Sequence, residues 1–391
     1  MKKKVAILGS TGSIGKLLLN IINKNKKNFE IVLLTANNNY KKLYKQSQEF
    51  NVKNVIISDK NSFEKFKKLN KKKNLNVHNN FRNLEKITKT KIDYTMSAIV
   101  GLDGLEPTIN IIKYTKIIAI ANKESIICGW NLIRKLASKN NTTIIPVDSE
   151  HYSIFKLIEN LNQNEIEKIY LTASGGPFLN YKKKELLKIS PKEALKHPKW
   201  KMGQKITIDS STLMNKILEL IEAQKLFNLP SNKLDIIIHP NSLVHAIVKK
   251  RNGLITFIYH DTSMIIPLAN GIFDGKLNIK EFYNNDRKND KLENLIFKKV
   301  DKKIFPVISL KKRVNEYPST SIIVNAANEI LVELFLNKKI PFLSISKTIL
   351  KILNDRNYKK YAIRKPKNIH EITNIDKWAR ENIKKILNLN D

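Results

Sequence analysis

The apolar run Val5-Ala6-Ile7-Leu8 stops at Gly9-Ser10-Thr11-Gly12-Ser13-Ile14-Gly15, and the residues beyond return to apolar character at helical spacing. A buried strand that turns through glycines into a helix is the opening of an α/β unit. Glycine at these places lets the backbone turn tightly, bring its N–H groups close to phosphate oxygens and pack the helix against the strand. The pyrophosphate of a dinucleotide is expected here. The spacing G-x-x-G-x-x-G is one residue longer at the front than the commonest fingerprint, and a plain strand-to-helix turn would use the same glycines.

The second strand, Glu30-Ile31-Val32-Leu33-Leu34-Thr35-Ala36, bears on which dinucleotide binds. An acid at its end would hold the adenosine ribose hydroxyls and repel a 2′-phosphate. This chain instead has Asn37, Asn38 and Asn39, then Tyr40, Lys41 and Lys42. Neutral amides and nearby ammonium groups favour NADP, although an Asn-rich turn without a role has the same composition.

Apolar runs at 5–8, 31–36, 54–57, 94–100, 117–121 and 143–147 alternate with segments of helical spacing, the pattern of a parallel, doubly wound sheet. The predicted architecture is α/β. An N-terminal doubly wound, Rossmann-like NADP-binding domain covers 1–148, and a central α+β catalytic domain with metal, substrate and lid residues covers 149–272. A Lys/Asn-rich linker covers 273–305 and a C-terminal helical bundle 306–391. In the central domain strands are expected at 168–173, 206–209, 234–239, 244–248 and 254–259. At 391 residues and 42% apolar content, cores for two or three domains are available.

A formal charge of +36 would suit a nucleic-acid partner, but it comes from 63 Lys against 8 Arg spread over the whole chain. A nucleic-acid surface would concentrate Arg and interleave aromatics, so no nucleic-acid partner is expected. The positive field still attracts anionic substrates. The single cysteine, Cys128, excludes an internal disulfide framework and fits a reducing, cytoplasmic setting. No long uncharged apolar window and no cleaved leader before the first strand are discerned, so no membrane association is expected. The apolar strands near Leu234 to Val248 offer a surface for a homodimer, the expected assembly.

The chemistry-bearing motifs begin at Pro146-Val147-Asp148-Ser149-Glu150-His151, just past an apolar strand. In an extended segment Asp148 and Glu150 point the same way and would converge on a hard divalent cation, with the Ser149 hydroxyl offered to substrate. A helix N-cap at Asp148 or Ser149 is the competing reading. His151, beside Tyr152 and Phe155, fits a packed core histidine better than a ligand. A third acid lies in Asp209-Ser210-Ser211-Thr212-Leu213-Met214-Asn215-Lys216-Ile217-Leu218-Glu219. A helix opening near Ser210 would place Asn215 and Glu219 one turn apart with Lys216 beside them, a set suited to a phosphate and a metal together. Ser174-Gly175-Gly176-Pro177 is a second phosphate candidate or a tight turn. His197-Pro198-Lys199-Trp200-Lys201-Met202-Gly203 reads as a lid that sets Trp200 over substrate with Gly203 as hinge, or as a packed plug.

Taken with Ala121-Asn122-Lys123-Glu124-Ser125 and Asn325-Ala326-Ala327-Asn328-Glu329, these motifs resemble the 1-deoxy-D-xylulose 5-phosphate reductoisomerases nearly end to end, in that family's order. The resemblance implies conversion of a small phosphorylated sugar, 1-deoxy-D-xylulose 5-phosphate, to 2-C-methyl-D-erythritol 4-phosphate with NADPH and Mg²⁺ or Mn²⁺. It assigns the metal to Asp148, Glu150 and Glu219, and catalysis to these acids with Lys123. It implies substrate contacts from Lys123, Ser149, Glu150, Ser174, His197, Trp200, Ser210, Asn215, Lys216 and Glu219, with the phosphate among Ser174, Ser210, Asn215 and Lys216. Cofactor contacts are implied for Thr11, Gly12, Ser13, Ile14, Asn39, Asn122, Glu124 and Gly203. At Asn37-Asn38 some family members have Gly-Lys, so one partner of the 2′-phosphate is missing.

Overall fold

The computed structural model describes residues 1–70, 74–82, 84–88, 90–200, 202–282 and 294–389. Lys201 of the expected lid, the end of the Lys65 to Lys73 run and the centre of the expected linker lie outside them. Two compact units divide the described chain. The first comprises Met1–Ser125, Gly129–Asp148 and the stretch from Met264; the second comprises Ile126–Cys128, Ser149–Ser263 and the C-terminal part.

The first unit runs β1 (Lys3–Leu8), α1 (Ser13–Lys24), β2 (Phe29–Ala36), α2 (Tyr40–Glu49), β3 (Asn54–Ile57), α3 (Lys60–Leu69), β4 (Asn76–His78), α4 (Leu84–Ile87), β5 (Ile92–Ser97), α5 (Leu105–Ile112), β6 (Thr115–Ile120), α6 (Lys123–Lys139) and β7 (Thr143–Pro146). All pairings are parallel, in the order β4-β3-β2-β1-β5-β6-β7. The direction of winding reverses between β1 and β5, the position where open α/β sheets receive ligands at their carboxyl ends. Val5 to Leu8 are all fully buried, which is why β1 reads as an unbroken apolar run rather than an alternating one. On α1, Leu18, Leu19, Ile21 and Ile22 form one buried face. β4 has no counterpart among the expected strands: it is three residues on the sheet edge, with Asn76 exposed, and carries no apolar run.

The second unit contains α7 (Ser149–Ile158), β8 (Ile166–Ala173), α8 (Pro191–Ala194), α9 (Gln204–Ser211), α10 (Met214–Phe227), β9 (Leu234–Ile238), β10 (Val244–Lys250) and β11 (Ile255–Tyr259). Its sheet has the order β11-β10-β8-β9, parallel only between β8 and β9. The strand expected at 206–209 is instead part of α9. Ile206 and Ile208 alternate with polar neighbours as a strand would, but tertiary ties on Asp209 and Ser211 decide for helix. β9 and β10 bury Leu234, Ile238, Val244, Ala246 and Val248 within the unit, whereas edge strand β11 leaves Ile255 and Phe257 exposed.

Helix α11 (Ile265–Phe273) packs with the first unit: Leu268, Ala269 and Ile272 join the core around Val5, Ile7 and Leu18, and Lys3 Nζ donates to the Ile272 carbonyl at 2.7 Å. The chain closes with α12 (Thr320–Leu336), α13 (Phe342–Ile352), α14 (Tyr358–Ala362) and α15 (Ile369–Ile386). Fourteen of the 17 residues of α12 are buried, so it is the axle of this helical part. No helix among the described residues is long and apolar enough to cross a membrane.

Candidate active site

In the first unit the glycine turn is a backbone cradle. Gly9 sits at φ +81°, and a Cβ there would lie 2.8 Å from the Ala98 carbonyl oxygen at the end of β5. A Cβ on Gly15 would lie 2.5 Å from the Gly9 carbonyl oxygen and 2.6 Å from Ser10 Cα. Neither position accepts a side chain. Gly12 caps α1 with no side-chain hydrogen bond, leaving the first-turn N–H groups to be satisfied from outside the helix. The turn is held from behind: Gly9 N donates to Thr35 Oγ1 and Ser10 N to the Thr35 carbonyl, both at 2.9 Å, while Ser10 and Gln46 exchange hydrogen bonds at 2.8 and 3.0 Å. Thr11 and Ile14 are half-buried and Ser13 is exposed beside this cradle. The residues present fit a dinucleotide pyrophosphate.

Asn37, Asn38 and Asn39 are exposed past the end of β2. Asn39 caps α2 by accepting from Lys42 N at 3.3 Å, and Asn37 Oδ1 accepts from Ser58 Oγ at 3.2 Å. Asn122 caps α6 by accepting from Ser125 N at 2.5 Å, and its Nδ2 donates to the Ile99 and Gly101 carbonyls, 2.8 Å for the latter. Its amide is therefore committed to the loop after β5, and Glu124 Oε2 lies 3.3 Å from the same nitrogen. Lys123, almost fully buried, places Nζ 3.8 Å from Asp148 Oδ2.

Asp148, Glu150 and Glu219 each offer a carboxylate oxygen, all within 4.8 Å of one another. The convergence has a different origin from the extended segment expected. Helix α7 begins at Ser149, so Glu150 stands in a first turn, with Ser149 Oγ donating to Glu150 Oε2 at 2.7 Å. Glu219 is almost fully buried on α10, where Asn215 Nδ2 donates to its Oε1. Lys216 Nζ lies 2.6 Å from Glu219 Oε2 and 2.5 Å from Glu150 Oε1. An ammonium group bridging two carboxylates shows that the cluster attracts positive charge, and three hard oxygen donors at this separation fit a divalent cation.

His151 is fully buried, with Nε2 2.8 Å from the Glu219 carbonyl oxygen. A carbonyl only accepts, so Nε2 carries the proton and ties α7 to the Glu219 backbone. This is a packed histidine of the core, as its aromatic neighbours in the sequence suggest.

A second polar group forms around His197. Its Nδ1 accepts from Lys199 N and Trp200 N at 3.1 and 2.8 Å, which fixes the proton on Nε2; that nitrogen lies 3.1 Å from both Ser174 Oγ and Ser210 Oγ. Burial, then the charge of Lys216, lowers the imidazole pKa to about 4, so His197 is neutral near neutral pH. Ser174 Oγ also accepts from Gly176 N at 3.0 Å. Gly176 is at φ +62°, where a Cβ would meet the Ser210 carbonyl oxygen at 2.9 Å, so this glycine allows the turn to close on α9. Between α9 and α10, fully buried Leu213 adopts φ +65°, a strained conformation held by its surroundings. Trp200, half-buried, packs edge-on against His245 with ring centroids 6.1 Å apart. Gly203 caps α9 at φ −64°, and a Cβ added to it would meet nothing within 4 Å, so neither sterics nor conformation demands glycine there.

A doubly wound sheet with a glycine cradle at its switch point, together with a unit that gathers carboxylates, hydroxyls and an ammonium group, defines a dinucleotide-dependent oxidoreductase assisted by a metal. Comparison with known proteins narrows this. The family described as 1-deoxy-D-xylulose 5-phosphate reductoisomerase matches residues 5–129, and the C-terminal domains of the same enzyme match 144–227 and 261–382. The 1-deoxy-D-xylulose 5-phosphate reductoisomerase of Pelagibacter ubique is 55% identical over 383 residues, covering 96% of this chain and 97% of that protein. That of Thermoanaerobacter pseudethanolicus is 39% identical, covering 98% and 99%. Among solved structures, the Zymomonas mobilis reductoisomerase in complex with NADPH matches with a TM-score of 0.87 at 32% identity, covering 99% of both chains. A reductoisomerase in complex with NADPH, fosmidomycin and magnesium matches with a TM-score of 0.89 at 32% identity over 100% of both. The chain belongs to the 1-deoxy-D-xylulose 5-phosphate reductoisomerase family.

Proposed function

We propose how the residues of this chain divide the work of the family's reaction. The chain is an NADPH- and divalent-metal-dependent reductoisomerase that converts 1-deoxy-D-xylulose 5-phosphate to 2-C-methyl-D-erythritol 4-phosphate, a step toward isoprenoid precursors, by skeletal rearrangement and then hydride reduction. Asp148, Glu150 and Glu219 hold the cation, Mg²⁺ or Mn²⁺. The observation that carries this is the convergence of their three oxygens within 4.8 Å. The bound cation supplies Lewis acidity at the substrate's oxygens. Lys123 acts beside Asp148 as a fixed positive charge toward the same oxygens, and the Ser149 hydroxyl hydrogen-bonds substrate next to Glu150.

Ser174, Ser210, Asn215 and Lys216 hold the phosphate, with His197 set between the two hydroxyls. Because Nδ1 is occupied by two backbone donors, neutral His197 offers an Nε2–H donor without adding charge. Trp200 covers the substrate and excludes water. On the cofactor side the cradle of Thr11, Gly12, Ser13 and Ile14 takes the pyrophosphate, and the carboxylate-free turn Asn37-Asn38-Asn39 admits a 2′-phosphate. Asn122 acts through the Ile99–Gly101 loop it holds, beside Glu124, and Gly203 contributes backbone at the start of α9. In domain terms, 1–148 binds NADP with α11 packed on its core, 149–263 carries metal, substrate and lid, and 306–391 is the helical support.

The assembly is a cytoplasmic homodimer without nucleic-acid or membrane partners. Edge strand β11 supplies its interface, since Leu254, Ile255 and Phe257 are 59%, 58% and 45% exposed on an edge that pairs with no further strand among the described residues. Light scattering would give twice the chain mass, and Phe257→Lys would return it toward the monomer; a monomeric wild type would refute the interface.

The assay for the site is NADPH oxidation in the presence of 1-deoxy-D-xylulose 5-phosphate, with and without Mg²⁺ or Mn²⁺, comparing wild type with Asp148→Asn. Metal-dependent turnover lost in the variant is the expected result. Full metal-dependent turnover in Asp148→Asn would remove that residue from the metal set.

A further inference from the structure

Asn325-Ala326-Ala327-Asn328-Glu329, on α12, carries no chemistry in the assignments above. Asn328 is fully buried, and its Nδ2 donates to Asp209 Oδ1 at 2.8 Å. Asp209 is also fully buried, with Lys205 Nζ 3.0 Å from its Oδ2. A carboxylate inside a protein is costly unless its oxygens are engaged, and here one partner comes from α9 itself and the other from α12.

Helix α9 has eight residues, too few to persist without tertiary support. Asp209 directly precedes Ser210, and successive helical side chains point about 100° apart. One turn therefore sends a carboxylate toward α12 and a hydroxyl toward His197 Nε2, 3.1 Å away. Ser211 Oγ donates to the Ala194 carbonyl at 2.6 Å, which fixes the same turn on the α8 side. The residue after Asn328, Glu329, is clamped by Arg380 of α15, so the register of α12 is itself held.

We propose that Asn328 is a positioning residue for the phosphate end of the site: by holding Asp209 it fixes the last turn of α9 and with it the Ser210 hydroxyl. This rests on the assignment of Ser210 to the phosphate. It gives the C-terminal helices a direct hold on substrate binding.

The test measures KM for 1-deoxy-D-xylulose 5-phosphate, KM for NADPH and kcat in Ser210→Ala, Asn328→Leu, Asn328→Asp and the swap Asn328→Asp/Asp209→Asn. Ser210→Ala and Asn328→Leu each raise the sugar-phosphate KM about tenfold with the NADPH KM unchanged. Their double variant is no worse than the worse single one, because both act through one hydroxyl. Asn328→Asp sets carboxylate against carboxylate and raises KM further; adding Asp209→Asn restores it. If Ser210→Ala raises KM while the folded Asn328 variants do not, or shift both KM values alike, the positioning role is overturned and the phosphate assignment stands. No effect of Ser210→Ala would instead remove the phosphate assignment, and the proposal with it. Should Asn328→Leu not fold, the swap decides, and absence of rescue overturns the role.

Discussion

The two units build their binding sites by opposite means. The first uses backbone: Gly9, Gly12 and Gly15 make a cradle by lacking side chains, and Thr35, Ser10 and Gln46 lock it from behind. The second uses charged side chains, with Glu150, Lys216 and Glu219 drawn together from two helices and Ser174, His197 and Ser210 from three separate segments. A backbone site tolerates no added atom, whereas a side-chain site tolerates no lost charge. Each kind of substitution should therefore damage one function and spare the other.

The largest effect is expected from Glu219→Gln, which keeps the shape and removes a charge from the acid cluster: kcat falls on the order of 10³-fold while NADPH affinity by fluorescence titration is unchanged. Next comes Gly15→Val, whose Cβ would overlap Gly9 and Ser10. NADPH affinity drops about a hundredfold and Mn²⁺ affinity is retained, so a variant that loses both would show that the two sites are not independent.

Smaller effects are expected within the second unit. Lys225, on α10, donates to the Ile127 carbonyl and to Ser321 Oγ, and burial of its ammonium group lowers its pKa to about 8. Above that value the folded chain has lost a proton that the unfolded chain keeps up to its ordinary 10.5, so stability rises with pH across this window. The linkage is worth up to about 3 kcal/mol. Denaturant titrations from pH 8 upward should show this rise in wild type and lose it in Lys225→Met. His197 titrates in the opposite range. With its folded pKa near 4 and an ordinary value of 6.5, it costs stability as pH falls between the two, and kcat/KM should show no limb near 6.5 attributable to it. A His197→Gln variant with an altered limb at that pH would contradict the neutral assignment. The mildest change is Trp200→Ala, expected to raise the sugar-phosphate KM about threefold without altering NADPH binding.

The same contrast governs how much is legible in the sequence. The cradle is readable because its glycines are closely spaced and its strand is an unbroken apolar run, so local pattern and tertiary role coincide. The acids are readable as residue types, but the route by which they meet is not. Strand alternation would bring Asp148 and Glu150 together, yet α7 starts at Ser149 and the meeting depends on α10. Ile206 to Asp209 carries a period of two and still forms helix, because Asp209 is claimed by Asn328, more than a hundred residues later. β4 leaves no pattern because a three-residue edge strand buries too little. Lys225 gives no signal at all: in a chain so rich in lysine, one whose ammonium group is enclosed looks like every other.

Asp148, Glu150 and Glu219 are proposed to form one cation site, separate in its chemistry from the glycine cradle. Titration of Mn²⁺ with NADPH present, read by the electron paramagnetic resonance of the free ion, tests it most directly in wild type and Glu219→Gln. One tightly bound Mn²⁺ per chain, lost in the variant while NADPH stays bound, is the predicted result. Mn²⁺ bound equally well by folded Glu219→Gln would contradict it.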